Sequence, residues 1–177
     1  MRITSGKLKG RRLVYPKSGV RPTKELTRQA IFNILGKEVE GTRVCDLFAG
    51  GGALGIEAVS RGAREVVFVE KSPVVIKCLK ENFAGCDGVK VIKGDVIRVM
   101  PKLRGADFQI VFADPPYRKM LGQKTVDAVF KHQLLTVGGV LILEHSGEEK
   151  LTAPENGEVV RQKRYGESVV TFFRRWK

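Results

Sequence analysis

The residues with the clearest chemical meaning in this chain of 177 residues are Asp114-Pro115-Pro116-Tyr117, which follow an apolar run at positions 109–113. Such a run is typical of a buried strand in a parallel sheet, and two prolines end the strand because neither can donate to a β-ladder. A carboxylate, a stiff turn and an aromatic ring are therefore predicted at the carboxyl edge of a sheet, where open α/β sheets bind ligands. A strand-ending turn with a solvated Asp114 would produce the same tetrapeptide, so a second motif is needed.

That second motif is glycine-rich: Gly50, Gly52 and Gly55 have the spacing G-x-G-x-x-G. The glycines follow a strand-like segment and open a helix-like one at 53–61, which is the context that a nucleotide-binding turn requires. Glycines let the backbone approach a ligand closely, and the helix N-terminus presents free amides. The next predicted strand ends at Glu70, whose carboxylate can accept both ribose hydroxyls of an adenosine.

Further acids lie at the ends of neighbouring predicted strands. Asp46 directly precedes the glycine turn, and Asp95 follows the third strand, from where it can reach an adenine amino group. A carboxylate at position 46 disfavours a pyrophosphate and favours an ammonium or sulfonium group. The chain also shows no hydride-transfer site of the kind that a dinucleotide dehydrogenase needs. The acids at 46, 70 and 95 therefore favour S-adenosylmethionine, which is cationic and carries no phosphate.

With these residues in place, the chain resembles the RsmD family of bacterial 16S rRNA guanine-N2 methyltransferases, which are Rossmann-type enzymes. The resemblance is carried by segments 2–6, 9–13, 20–23, 28–33, 46–50, 52–58, 114–117 and 163–166. One departure is Gly51, where the family usually has Ser; the change removes a hydroxyl and keeps the turn. Many amino-methyltransferases share the Asp-Pro-Pro-Tyr tetrapeptide, so the N-terminal segments carry the narrower assignment.

The resemblance implies a role for each part of the site. Asp114 and the backbone carbonyl of Pro115 would each accept one N–H of the target amine, which aligns the nitrogen lone pair with the sulfonium methyl. Pro116 stiffens the turn, Tyr117 would stack on an unstacked base, and Asp114 or water takes the proton. We expect no metal. The expected cofactor-binding residues are Asp46, Phe48, Ala49, Gly50, Gly52, Glu70, Lys71, Asp95 and Val96.

The net charge of +13 is concentrated at the two ends of the chain. Residues 1–43 contain 11 Lys or Arg and 3 Asp or Glu. Residues 160–177 contain 6 Lys or Arg and 1 Asp or Glu, and in residues 44–159 the basic and acidic residues are equal in number. Cationic ends beside a neutral core indicate a polyphosphate partner, although solvated basic faces would give the same composition. The resemblance implies 16S rRNA in an assembling or assembled 30S subunit. The expected RNA contacts are Arg11, Arg12, Arg21, Arg28, Lys163 and Tyr165.

Three of these residues have alternative roles. Arg21 could fold over the cofactor pocket, Arg28 could lie on a solvated helix face, and Tyr165 could belong to the core of a hairpin. For the whole chain we expect a cytoplasmic monomer without membrane contact, because no signal peptide or long apolar span is present. The three cysteines have no Cys-x-x-Cys spacing and the two histidines are isolated, so neither a disulfide nor a metal site is expected.

The order of predicted elements indicates an α/β protein. A basic β-hairpin is predicted over 2–15, followed by a helix that Thr23 caps and that runs to about Lys37. The predicted apolar face of that helix is Leu26, Ala30, Ile31, Ile34 and Leu35. Strands and helices then alternate at 43–48, 53–61, 65–70, 72–84, 89–92, 95–102, 107–113, 122–133 and 137–144, before a hairpin at 158–165 and 168–175.

Such alternation implies right-handed crossovers and a doubly wound parallel sheet. The resemblance adds seven strands and a C-terminal antiparallel hairpin. We expect one methyltransferase domain over 1–177, with a basic N-terminal extension at 1–40 and a catalytic core at 41–177.

Three other functions remain open at this point. A DNA or RNA adenine-N6 or cytosine-N4 methyltransferase shares the tetrapeptide at 114–117, but no separate target-recognition domain is visible. A noncatalytic RNA-binding relative would tend to lose the acids at 46, 70 and 114, and all three are present. A protein-glutamine methyltransferase would usually have Asn in place of Asp114.

Overall fold

The computed structural model describes residues 1–16, 25–116 and 121–177, in which helices and a seven-stranded sheet form an α/β fold. The strands are β1 (Arg43–Leu47), β2 (Glu65–Glu70), β3 (Val89–Lys93), β4 (Phe108–Ala113), β5 (Leu135–Ser146), β6 (Gly157–Tyr165) and β7 (Ser168–Arg175). The α-helices are α1 (Glu25–Leu35), α2 (Ala53–Ser60), α3 (Pro73–Asn82), α4 (Val96–Val99) and α5 (Gly122–Lys131). Two 3₁₀ turns follow helices, at Gly36–Val39 and Met100–Leu103.

The strand order is β3-β2-β1-β4-β5-β7-β6. The first five strands in this order are parallel, whereas β7 is antiparallel to both β5 and β6. The predicted seven-stranded sheet with a C-terminal antiparallel hairpin is confirmed. The chain winds outward in opposite directions from β1 and β4, so the crevice at their carboxyl ends is where such a sheet binds ligands.

Two hydrophobic layers cover the two faces of the sheet. Along β1, Val44 packs against α1 and α2 on one face, while Cys45 and Leu47 pack on the opposite face with α4 and α5. Burial on both faces explains why the central strands are nearly continuous apolar runs rather than alternating ones. These runs also made the strands predictable.

The β-hairpin predicted over 2–15 is present in a reduced form, as two short arms without regular strands. It contains a single antiparallel bridge, between Arg2 and Arg12, and its turn follows Gly6, whose φ is 79°. A Cβ on Gly6 would lie 1.8 Å from the carbonyl oxygen of Ser60, at the end of α2. The two arms are joined by Ile3 N, which donates to the Arg11 carbonyl at 3.0 Å, and by Gly10 N, which donates to the Ile3 carbonyl at 2.9 Å. At the turn the amides bind α2: Lys7 N donates to the Ser60 carbonyl at 2.8 Å and Leu8 N to its hydroxyl at 2.9 Å.

Helix α1 buries Ile31 and Leu35 as predicted and half-buries Ala30 and Ile34, but its interior face is shifted away from Leu26. Leu26 is 77% exposed, whereas Phe32 is completely buried and packs on Phe112 at a ring-centroid distance of 5.6 Å. The helix is rotated because Thr27 and Arg28 face the interior, and a buried arginine does not contribute to an apolar stripe. The predicted cap, Thr23, lies outside the described residues.

Candidate functional site

The register of the sheet brings the predicted site residues to one edge. Leu47 of β1 is paired with Ala113 of β4, so the residues that follow them, Phe48 and Asp114, leave the sheet side by side. On the other side of β1, Leu47 is paired with Val69, one residue before Glu70. The described part of the Asp-Pro-Pro turn, the glycine turn and the carboxylate at 70 are therefore neighbours at the switch point of the sheet.

The glycine turn is fixed to β2 through hydrogen bonds from its backbone. Ala49 N donates to the Val69 carbonyl at 3.1 Å, and Gly50 N donates to Glu70 Oε2 at 3.0 Å. Gly52 closes the turn with a φ of 79°, and a Cβ there would lie 2.4 Å from Leu79 Cδ1. A residue with a side chain at position 52 would adopt a strained left-handed backbone and would displace the Leu79 side chain of α3.

Glu70 joins the glycine turn to the start of α3. In addition to the bond from Gly50, its Oε1 accepts hydrogen bonds from Lys71 N and Ser72 N, both at 2.8 Å. A carboxylate offers about four lone-pair positions, so three amide donors leave at least one acceptor for a hydroxyl of a ligand. Glu70 can thus hold the turn and receive a ribose at the same time.

Asp46 is buried in the interior, although it directly precedes a turn at the edge of the sheet. Its side chain is 3% exposed, and Oδ2 accepts a hydrogen bond from Gly55 N at 2.9 Å. Burial raises the pKa of Asp46 to about 8, and the neighbouring charge of Glu70 adds to the increase, while the bond from Gly55 opposes it. A carboxyl group in this state is largely neutral until a cation approaches, and it then becomes an anion at low cost.

Three other predicted cofactor residues follow the ends of β2 and β3. Asp95 is exposed, and its Oδ1 caps α4 by accepting a hydrogen bond from Ile97 N at 3.1 Å. Val96, the first residue of α4, is buried, and Lys71 is exposed. A carboxylate that caps a helix keeps its second oxygen for an amino group, so the adenine contact predicted for Asp95 remains a prediction.

Three residues of the Asp-Pro-Pro-Tyr turn lie within the described part of the chain. Asp114 is half-buried, Pro115 is buried and Pro116 is exposed. Tyr117 lies outside the described residues, as does Arg21, so the structure says nothing of the stacking or RNA contact expected of them.

Two of the predicted RNA contacts, Arg12 and Lys163, have exposed side chains. Arg11 is half-buried, and its guanidinium donates to the carbonyl oxygens of Asn82 at 3.2 Å and Ala84 at 3.3 Å. The Lys163 ammonium lies 5.6 Å from the centre of the Tyr165 ring. Arg12 and Lys163 are thus available to a polyanion, whereas Arg11 already binds the end of α3.

The RNA contact predicted for Arg28 is wrong, because this side chain is fully buried. Its guanidinium donates to the Arg2 carbonyl and the Met1 sulfur, and its Nε lies 3.3 Å from Glu57 Oε2. A positive charge in the interior requires such partners. Arg28 therefore holds the N-terminal segment against α1 and α2.

The sequence analysis missed Glu57, although it is the centre of this buried network. Its carboxylate accepts hydrogen bonds from Thr4 N at 2.9 Å, Thr4 Oγ1 at 2.6 Å, Ser5 N at 3.1 Å and Arg61 Nε at 2.9 Å. One signal was available: Glu57 stands among apolar residues in a helix that is buried along its whole length.

Asn82 is a second residue that the sequence analysis missed. It is buried at the end of α3, where Oδ1 accepts a hydrogen bond from Val14 N at 2.6 Å and Nδ2 donates to Val14 O at 2.8 Å. The same Nδ2 donates to the carbonyl oxygen of Gly51 at 2.9 Å. One amide thus joins the N-terminal segment, α3 and the glycine turn.

His145 and Cys45 are buried side chains whose pKa values are shifted by burial. His145 Nε2 lies 2.9 Å from Thr171 Oγ1, and burial lowers the pKa of this imidazole. Burial likewise raises the pKa of the Cys45 thiol. Within residues 1–16, 25–116 and 121–177, no group of three or more His, Cys, Asp or Glu is arranged to hold a metal ion. No helix in these same ranges has the length and apolarity that crossing a membrane requires.

Known proteins resemble the chain along its length. The family described as "Conserved hypothetical protein 95" matches residues 1–174. The chain is 34% identical over 184 aligned residues to "Putative rRNA methyltransferase YlbH" of Bacillus subtilis (strain 168), covering 99% of each protein. It is 31% identical to "Ribosomal RNA small subunit methyltransferase D" of Escherichia coli (strain K12), covering 99% of this chain and 90% of that one. A solved structure, "Putative methyltransferase yhhF from Escherichia coli", matches with a TM-score of 0.90 and 31% identity, covering 99% of this chain and 98% of that one.

Proposed function

The chain belongs to the RsmD family, described as conserved hypothetical protein 95, and on this premise we propose that it transfers a methyl group from S-adenosylmethionine to the exocyclic N2 amine of a guanine in 16S rRNA. The observation that carries the proposal is the pairing of Leu47 with Ala113. This register puts the glycine turn and the Asp-Pro-Pro turn beside each other, as a transfer from cofactor to amine requires.

The residues around the glycine turn fit a cationic nucleoside. Glu70 retains an acceptor for the ribose, Asp95 has a carboxylate oxygen for the adenine amino group, and Asp46 can become an anion beside the methionine ammonium. The backbone at Phe48, Ala49, Gly50 and Gly52 would pass close to the methionine chain, with Lys71 and Val96 at the adenosine end. S-Adenosylmethionine supplies an electrophilic methyl group on a sulfonium.

The Asp114 turn would activate the amine by position. The nitrogen of an exocyclic amine is a poor nucleophile because its lone pair is delocalised into the ring. When Asp114 and the Pro115 carbonyl each accept one N–H, the lone pair is directed at the methyl carbon. Alignment of this kind can lower a barrier by about 7–11 kcal/mol at best. The N–C bond forms as the C–S bond breaks, and the amine proton then passes to Asp114 or to water.

The exposed basic residues of β6 fit an RNA partner. Arg161, Lys163 and Arg164 are exposed along this strand at the edge of the sheet, and Arg12 is exposed on the N-terminal segment. Lys and Arg on such faces bind phosphates by releasing condensed counterions. We propose that the substrate is 16S rRNA in an assembling or assembled 30S subunit, and that the enzyme acts as a cytoplasmic monomer.

Transfer of a labelled methyl group tests the substrate class. The enzyme and S-adenosylmethionine carrying a tritiated methyl group are incubated separately with 16S rRNA, 30S subunits, 23S rRNA and duplex DNA. We expect label in 16S rRNA or 30S subunits at least tenfold above the other two substrates. Equal or greater labelling of DNA would instead support the adenine-N6 or cytosine-N4 activity and contradict the proposal.

A further inference from the structure

The aromatic ring of Tyr15 occupies the space that a side chain at position 51 would fill. A Cβ built on Gly51 would lie 2.3 Å from Tyr15 Cε1 and 2.7 Å from Cδ1, which is far inside van der Waals contact. Gly51 does not have a positive φ, so its backbone conformation would accept any residue. A side chain at this position, where the family usually has Ser, would therefore collide with the Tyr15 ring where it lies in this structure.

Tyr15 is held near the glycine turn through the backbone of its neighbour Val14 and through its own hydroxyl. Asn82 binds the backbone of Val14 and the carbonyl of Gly51 with one side chain. The Tyr15 hydroxyl donates to the Met1 sulfur at 3.3 Å. The ring is thus positioned by the N-terminal segment and α3 together.

The surroundings of Tyr15 connect it to the methionine end of the proposed pocket. Burial raises the pKa of Tyr15 to about 12; the Arg28 guanidinium lowers that pKa, and the Asp46 carboxylate raises it. The phenol is therefore neutral at physiological pH and lies within electrostatic range of Asp46. Asp46 is the acid that the proposed function assigns to the cofactor ammonium.

From these contacts we propose that Tyr15 is a cofactor-positioning residue, whose ring supports the glycine turn at Gly51 and so fixes the methionine end of the cofactor pocket. This inference rests on the proposed use of S-adenosylmethionine. It assigns part of the cofactor affinity to the N-terminal segment, in addition to the sheet and its glycine turn. It also makes positions 15 and 51 one unit, in which only one of the two can carry a bulky group.

Binding of two nucleosides to Tyr15 variants separates positioning of the methionine end from general loosening. S-Adenosylhomocysteine has the amino-acid chain and 5′-methylthioadenosine lacks it, so their affinities are compared by titration calorimetry. We expect Tyr15→Ala to weaken S-adenosylhomocysteine by about tenfold, or about 1.4 kcal/mol, and 5′-methylthioadenosine by less than about twofold. Tyr15→Phe should bind both like wild type because it keeps the ring. Trp176→Ala, a half-exposed aromatic at the other end of the chain, is the matched control.

A double-mutant cycle tests whether the two positions form one unit. Gly51→Ser alone should weaken S-adenosylhomocysteine because the new side chain and the ring compete for one space. The double variant Tyr15→Ala with Gly51→Ser should bind more tightly than Gly51→Ser alone. The rate at saturating cofactor should stay within about twofold of wild type in Tyr15→Ala, with the loss in KM.

The possible failures are distinguishable. Wild-type protein that binds neither nucleoside would overturn the proposed function together with this inference. Wild-type binding combined with unchanged affinity in Tyr15→Ala, equal losses for both nucleosides, or additive effects in the cycle would overturn the inference alone. Circular dichroism and thermal unfolding verify that each variant is folded, and Tyr15→Leu replaces Tyr15→Ala in every comparison if the alanine variant does not fold.

Discussion

At the scale of single residues, the buried carboxyl group of Asp46 dominates the electrostatics of the site. Its pKa is raised from 3.8 to about 8, chiefly by burial. A group whose folded-state pKa lies above its unfolded value adds stability that is complete below the unfolded pKa. That stability is lost as the pH rises through the folded pKa. The buried Asp46 therefore lowers the stability of the ligand-free protein at neutral pH relative to acidic pH, and its carboxyl group can be ionised by a cationic ligand.

The first prediction follows from this linkage. Asp46→Asn should flatten the pH dependence of the unfolding free energy between about pH 4 and pH 8, where the wild-type protein loses stability. Urea denaturation of the two ligand-free proteins at several pH values measures the difference between their curves. A constant difference across this range would mean that the pKa of Asp46 is not raised in the folded state.

Cofactor binding to Asp46 should also release a proton. At pH 6.5 the amino group of the cofactor is protonated and Asp46 is largely neutral, so binding of the ammonium should ionise the carboxyl group. Calorimetry in buffers of different ionisation enthalpy should detect release of about one proton for wild type and close to none for Asp46→Asn. Equal proton release by both proteins would place the ammonium elsewhere.

Asp114 should affect turnover and not the cofactor. Asp114→Ala and Asp114→Asn should lower kcat by at least about a hundredfold. Ala removes the acceptor that orients the amine, and Asn replaces the carboxylate by a neutral amide oxygen that accepts more weakly and cannot take the proton. The affinity for S-adenosylhomocysteine should remain within about threefold of wild type. Methyl transfer and calorimetry give both numbers, and a parallel loss of cofactor affinity in both variants would assign Asp114 to the cofactor pocket instead.

At the scale of elements, the N-terminal segment is fastened to α2 by the buried pair of Arg28 and Glu57. Glu57→Ala leaves a buried guanidinium without its carboxylate, so we expect a loss of about 3–5 kcal/mol in unfolding free energy. The control is Glu65→Ala, which removes a partly exposed pair with Arg43 and Lys90 and should cost about 1 kcal/mol or less. If urea denaturation gives equal losses of unfolding free energy for both variants, the buried pair contributes no more to stability than the partly exposed one, which contradicts this prediction.

The elements also show where prediction from sequence succeeded and where it failed. The strands β1, β2 and β4 were predictable because burial on both faces requires continuous apolar residues. The burial of Arg28 was not predictable, since its partner is 29 positions away and local periodicity contains no such information. The ring of Tyr15 over Gly51 depends in the same way on a contact between distant segments, although the missing Ser was already visible.

At the scale of the whole molecule, the charge of +13 should govern how the protein meets RNA. Neutralising the exposed residues Arg12, Arg161 and Lys163 together should weaken binding to the ribosomal substrate. Each lost phosphate contact should reduce the slope of log affinity against log salt by about 0.7–0.9. Arg11 is omitted because it binds α3, and cofactor affinity should not change.

A matched triple variant provides the control for this experiment. Lys77, Lys124 and Lys131 are exposed on α3 and α5, and their neutralisation removes the same charge from the neutral middle of the chain. Filter binding at several salt concentrations compares both triple variants with wild type. Identical slopes for the two variants would mean that the basic ends are ordinary solvated surface without a fixed RNA footprint.

The measurement that tests the central claim most directly is identification of the methylated nucleoside. Ribosomal substrate is incubated with the enzyme and S-adenosylmethionine, digested to nucleosides and analysed by mass spectrometry against standards. The geometry of Asp114 and the Pro115 carbonyl beside the glycine turn, together with family membership, predicts N2-methylguanosine in 16S rRNA and its absence with Asp114→Ala. A product that is N6-methyladenosine or N4-methylcytidine, or N2-methylguanosine formed equally by Asp114→Ala, would contradict this account.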